Sequence, residues 1–153
     1  MDTKKLEDYE IRTVKELRDS GNLIASFLLC SAFIEHHSKT RLFIFITERR
    51  TVEIIKVQDK ITKKMKNASI WSKMKKTIWD MNQGRIIELG LLIGAWNYKL
   101  YIQLTLFNKK RNNLVHNYEN LLETLEEDEK EVRIIIEQGL SLLLNIKWGY
   151  VKF

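Results

Sequence analysis

At 153 residues the chain is about the size of one domain, large enough to bury roughly two thirds of the surface its unfolded form exposes. The absence of proline, only six glycines and a charged fraction of 30% exclude a turn-rich sheet protein and favour long helices. A net charge of +6 and a pI near 9.4 suit an anionic partner without requiring one.

The first ten residues, MDTKKLEDYE, carry acidic groups and no apolar run, so no secretory signal is expected. Leu6, Tyr9, Ile11, Val14 and Leu17 recur at approximate three-and-four spacing and predict a first helix over residues 2–18, with Asp2 or Thr3 accepting from its first free N–H groups. Ser20, Gly21 and Asn22 break it. From Leu23 to about Arg50 a second pattern is nearly apolar around Phe27, Leu28, Phe33 and Phe43 to Ile46, and predicts the most buried helix. It contains Cys30, the sole cysteine. A lone thiol in an apolar run forms no internal disulfide, reads as buried and inert, and fits a reducing, cytoplasmic setting.

Residues 51–66 are ambiguous. TVEII could begin a strand, but no partner strand of comparable quality exists, so a helical or irregular segment is expected. Ile70, Trp71, Met74, Ile78 and Met81 predict a helix over 69–81, Asn82-Gln83-Gly84 a break, and IIELGLLIGAW a core helix weakened by Gly90 and Gly94. Residues 51–85 thus read as an insertion into a four-helix core. Its KITKKMK and KMKK runs are the most basic stretch and interleave with Trp71 and Trp79. A solvated lysine face beside core tryptophans is the plainer reading, against an RNA platform.

Tyr98, Leu100, Tyr101, Leu104 and Phe107 predict a further helix that kinks or breaks near NKKRNN before Leu114 and Val115. The acidic residues from Glu119 to Glu131 read as a connection, and Val132 to Trp148 as a last apolar helix. The sum is one all-α domain over residues 1–153, an antiparallel helical bundle. LFIFI and LGLLIGAW fall short of a membrane span, so no membrane association is expected.

The segment FNKKRNNLVHNY, residues 107–118, places Arg111 five positions before His116. Cleaving RNA with its own 2′-hydroxyl needs proton transfer and a stabilised phosphate. Histidine titrates near neutrality, so His116 suits the general base or acid, and the permanently cationic Arg111 suits bidentate phosphate binding. On an unbroken helix the two side chains point about 140° apart. A break near Asn112, or a second copy of the pair brought across a two-fold axis, would bring both onto one phosphate, so a homodimer is expected. Asn112, four before His116, can share its face and orient the ring or touch the phosphate. Lys109, Lys110 and Asn117 complete the expected RNA contacts. A plainer alternative has Arg111 capping the carboxyl end of the preceding helix and His116 as a satisfied boundary histidine. His36 and His37 point to different faces, and no H-E-x-x-H spacing exists, so neither metal nor cofactor is expected.

R-N-N-L-V-H, Arg111 to His116, resembles the R-x-x-x-x-H motif of the HEPN superfamily, in which asparagine often follows the arginine; Tyr118 extends the match to R-x-x-x-x-H-x-Y. The sharp similarity covers about a dozen residues, with a looser likeness of helical layout over 22–148, and the lysine-rich stretch has no counterpart. The resemblance implies a four-helix HEPN-like core and a metal-independent endoribonuclease, a toxin or defence protein, with its site at a dimer interface. It also implies a cognate antitoxin or partner nucleotidyltransferase, the latter adenylylating Tyr118. Non-catalytic members exist, so the competing expectation is a helical module that binds a nucleotide or a partner protein through residues 107–118.

Overall fold

The computed structural model describes residues 8–61, 68–115 and 118–148, and their side chains except those of 49–61, 68–71, Tyr118, Asn120 and Trp148. Among the described residues there are seven helices and no strand, packed as an all-α bundle: α1 (Tyr9–Asp19), α2 (Leu23–Ile61), α3 (Ala68–Asp80), α4 (Gln83–Leu92), α5 (Tyr98–Val115), α6 (Tyr118–Glu127) and α7 (Glu129–Trp148).

The helix ends follow local chemistry. The predicted caps Asp2 and Thr3 lie outside the described residues. The N-cap of α1 is instead Asp8, whose carboxylate accepts from the Glu10 amide at 3.0 Å. At the other end Gly21 adopts φ +83°, its amide donates to the Arg18 carbonyl and the Asn22 amide to the Leu17 carbonyl. This paired closure satisfies two orphan carbonyls and needs a left-handed residue. Gly94 ends α4 identically: at φ +80° its amide reaches Leu91, and the Ala95 amide reaches Gly90. Gly94 is therefore a terminator, while Gly90, fully packed beneath the Trp96 ring, clears space for it. The Trp96 indole N–H donates to the Ile87 carbonyl at 3.0 Å.

The central helix is α2. Leu23, Phe27, Cys30, Ile34 and Leu42 form its buried stripe at the spacing that keeps one helix face inward. It packs chiefly along α7, whose Val132, Ile135, Ile136, Leu140, Leu143 and Ile146 are buried. Gly139 permits that approach, because a Cβ there would lie 2.7 Å from the Cys30 sulfur and 2.8 Å from the Phe107 ring. Ser26 of α2 does the same for α1, its hydroxyl donating to the Val14 carbonyl at 2.8 Å. Arg41, also buried, donates to the carbonyls of Ala95, Asn145 and Ile146. The last two lie in the final turn of α7, where carbonyls lack helical partners and a cation is favoured.

A polar clasp joins α1, α2 and α7. Lys147 pairs with Asp8 and Glu10, and His37 shares the Glu10 carboxylate at 2.6 Å. Burial acts to raise both carboxyls, but the Lys147 hydrogen bonds and further partners outweigh it and hold Asp8 and Glu10 below the usual carboxylate range. Burial lowers His37 against the opposing pull of Glu10.

Of the two alternatives expected after Arg50, the helical one holds up to residue 61, because α2 continues to Ile61. Two other expectations are corrected by the helices themselves. The acidic stretch is not a connection. It forms α6, since Leu121 and Leu125 repeat at one helical turn and face the core, and Asp128 then separates α6 from α7. Nor does α5 break at NKKRNN, since it runs unbroken to Val115. Lys109, Lys110 and Asn113 are exposed while Leu104, Phe107 and Leu114 hold the inner face. Within the basic stretch, Trp79 is partly buried against Phe43 and His36 and carries the Lys75 ammonium over its ring, with Lys73, Lys75 and Lys76 exposed. Around Trp79 that is a solvated lysine face, while the KITKKMK run lies outside the described side chains. Trp71 lies outside the described side chains. No described helix is long and apolar enough to cross a membrane.

Candidate functional site

The inward stripe of α5 runs Leu100, Leu104, Phe107, Arg111, Leu114, in steps of four, three, four and three. Four are buried hydrophobics, and the fourth position is an arginine. A guanidinium placed where the bundle expects an apolar side chain must find acceptors. Arg111 finds them in Glu35 of α2, to which Nη2 donates at 3.3 Å, and in the side-chain oxygen Oδ1 of the neighbouring Asn112, to which Nη1 donates at 3.3 Å. Arg111 therefore lies within α5 and does not cap a helix end.

Glu35 is held from two sides. One carboxylate oxygen takes the Arg111 hydrogen bond and the other accepts from Lys39 at 2.9 Å, one turn along α2. Lys39 is buried and is fixed in turn by the Trp79 carbonyl at 2.9 Å. Two cations on one carboxylate leave local positive charge, which suits a phosphate. The Arg111 side chain is 28% exposed and that of Glu35 30%, so the guanidinium is anchored yet reachable from solvent.

Beneath this pair lies a small cleft between α2, α4 and α5, lined by Glu35, Gln83, Asn108 and Arg111 above apolar walls of Ile34, Leu104 and Phe107. Gln83 is buried, and its amide N–H donates to the Ser38 hydroxyl at 3.2 Å. The Gln83 Oε1 and Asn108 Oδ1 atoms are both buried without a donor among the described residues. An orphaned buried acceptor costs about 1–3 kcal/mol. On the far side of Phe107, a groove of about 520 Å³ separates α5 from α7, lined by Gln103, Leu106, Lys110, Gln138, Ser141 and Leu142. Lys110 closes its rim by donating to Gln138 at 3.0 Å.

Of the residues singled out from sequence, Arg111 and Asn112 are adjacent and bonded, and Lys109 and Lys110 stand exposed beside them. His116 and Asn117 lie outside the described residues, as does the Tyr118 side chain, although its backbone begins α6. Glu35, Lys39, Gln83 and Asn108 were not anticipated. The Glu35/Lys39 spacing of one helical turn carries a signal, since such pairs share a face. Nothing in sequence links that pair to Arg111, which is 76 residues from Glu35. Cys30 is buried as expected, with its thiol pushed up to about 12 by burial. Comparison of the chain with protein-family models, with curated proteins and with solved structures finds no match.

Proposed function

We propose that the chain is a HEPN-like endoribonuclease, a toxin or defence protein that cleaves RNA through 2′-hydroxyl attack, with Arg111 stabilising the phosphate and His116 transferring the proton. The supporting observation is the placement of Arg111: a cation inserted in an otherwise apolar stripe, braced by Glu35 and Lys39, and open to solvent beside Lys109 and Lys110. A stripe chosen only for stability would carry a leucine there. Bracing holds the guanidinium ready for charge that develops on the phosphate, which is where preorganised donors contribute most. In this reading Asn112 orients the site, Asn117 contributes to RNA contacts, and two copies of the chain form one cleft. A cognate antitoxin or a nucleotidyltransferase acting on Tyr118 would silence it by adding bulk and negative charge where substrate phosphate sits.

One observation favours a second reading, a non-catalytic module that binds a nucleotide or partner protein. Arg111 already has a carboxylate partner, and a purely structural ion pair needs no substrate. The two readings separate on incubation of the full chain with single-stranded RNA in excess chelator. The nuclease yields fragments ending in 2′,3′-cyclic phosphate, and sedimentation gives about twice the 18.3 kDa chain mass. Intact RNA across a range of sequences would leave only the binding module.

A further inference from the structure

The orphaned acceptors under Arg111 have a determined orientation. The Ser38 hydroxyl donates to the Ile34 carbonyl at 2.7 Å, so its proton is committed and its oxygen can only accept. Gln83 must therefore offer its N–H₂ to Ser38, at 3.2 Å, which leaves its carbonyl oxygen in the cleft with no donor among the described residues. Asn108 Oδ1, in the same cleft, also lacks one. Gln83 is 7% exposed, so bulk water does not serve it.

The space at the centre of the cleft is about 10 Å³, room for one group the size of a water molecule. Its one carboxylate is already taken, because Glu35 answers both Arg111 and Lys39 and the pair of cations outweighs it. A cation has no unspent carboxylate to meet. The missing partner is a small neutral group with two donor hydrogens.

We propose that the cleft beneath Arg111 takes the exocyclic amino group of a nucleobase, one N–H to Gln83 Oε1 and the other to Asn108 Oδ1, while Arg111 at the mouth holds the adjoining phosphate. The inference rests on the reading that the chain acts on RNA and adds base selectivity to it. Cytosine, adenine and guanine carry such a group. Uracil presents a carbonyl oxygen in its place, which would set three acceptors against one another.

The test is binding of nucleoside 3′-monophosphates to the full chain by calorimetry, in pairs that differ at the amine: cytidine against uridine, adenosine against purine riboside, guanosine against inosine. At least one amine-bearing member should bind about tenfold tighter or more, as expected for a two-hydrogen-bond base contact. Gln83→Met and Asn108→Ala should each bring that ratio towards one, and each variant's thermal unfolding verifies its fold. Ratios near one in all three pairs for the wild-type chain would mean that the cleft holds only solvent, and would overturn the inference even if the protein cleaves RNA. An unchanged ratio in folded Gln83→Met would overturn it as well. An amine preference without any RNA cleavage would uphold the base site and sink the nuclease reading instead.

Discussion

Two glycines of α4 should respond to the same substitution with opposite sign. A Cβ built on Gly90 falls 1.9 Å from Cζ2 and 2.1 Å from Cε2 of Trp96, inside the ring itself. Gly90→Ala must therefore expel an indole that is 3% exposed and break its 3.0 Å hydrogen bond to the Ile87 carbonyl. Displacing a buried tryptophan costs about 3–5 kcal/mol, and the gain in helix propensity returns at most about 1 kcal/mol. For a chain of this size each kcal/mol moves Tm by roughly 2–4 °C, so a drop of roughly 5–15 °C is expected. At Gly84 a Cβ meets only the Asn82 side-chain oxygen, at 3.4 Å, and Gly84→Ala should raise Tm by about 1–3 °C through lost unfolded-state freedom. Thermal and urea unfolding followed by circular dichroism measure both. Gly90→Ala as stable as wild type would refute the packing of Trp96 on α4.

Glu35→Gln removes the charge from the Arg111 brace. Because the pair is part exposed the loss should be about 1 kcal/mol, roughly 2–4 °C in Tm, with RNA cleavage down about tenfold as the guanidinium loses its aim; undiminished cleavage would place Glu35 outside the site. The clasp predicts an acid limb. Asp8 and Glu10, held below their ordinary values, add stability that is present above about pH 4 and lost as pH falls through their folded values. His37, also lowered, adds stability present above about pH 6.5 and lost as pH falls through its own. Lys147→Met removes the cation that lowers both carboxyls and should move the acid unfolding midpoint upward, so an unchanged midpoint would contradict the clasp. Cys30 should resist thiol reagents until the chain unfolds, its labelling rate following urea concentration, since burial raises the thiol to about 12 and hides it. Rapid labelling of the native protein would contradict its placement.

The helical class was legible because hydrophobic spacing is a local property. Leu23 to Leu42 and Val132 to Ile146 announce their inward faces without reference to the rest of the chain. Helix ends were less so: Gly94 looks like a weak point within an apolar run, and only the bonds from its own amide and the following Ala95 amide reveal a terminator. Glu119 to Glu131 read as a connection because its acidic residues outnumber the leucines, although two leucines one turn apart suffice to dock α6. In the site, Arg111 stood out through its distance from His116, whereas its brace did not. Glu35 and Gln83 reach Arg111 only through the packing of α2 and α4 on α5, a tertiary relation with no trace in local spacing.

In the proposed function Arg111 and His116 together cleave RNA. Arg111→Ala and His116→Ala, each shown to keep the helical spectrum, are assayed beside wild type on the same single-stranded RNA in excess chelator. Wild-type cleavage with 2′,3′-cyclic ends and a fall on the order of a hundredfold or more in each variant are expected. Cleavage at the wild-type rate in either variant would rule out the roles given to the pair.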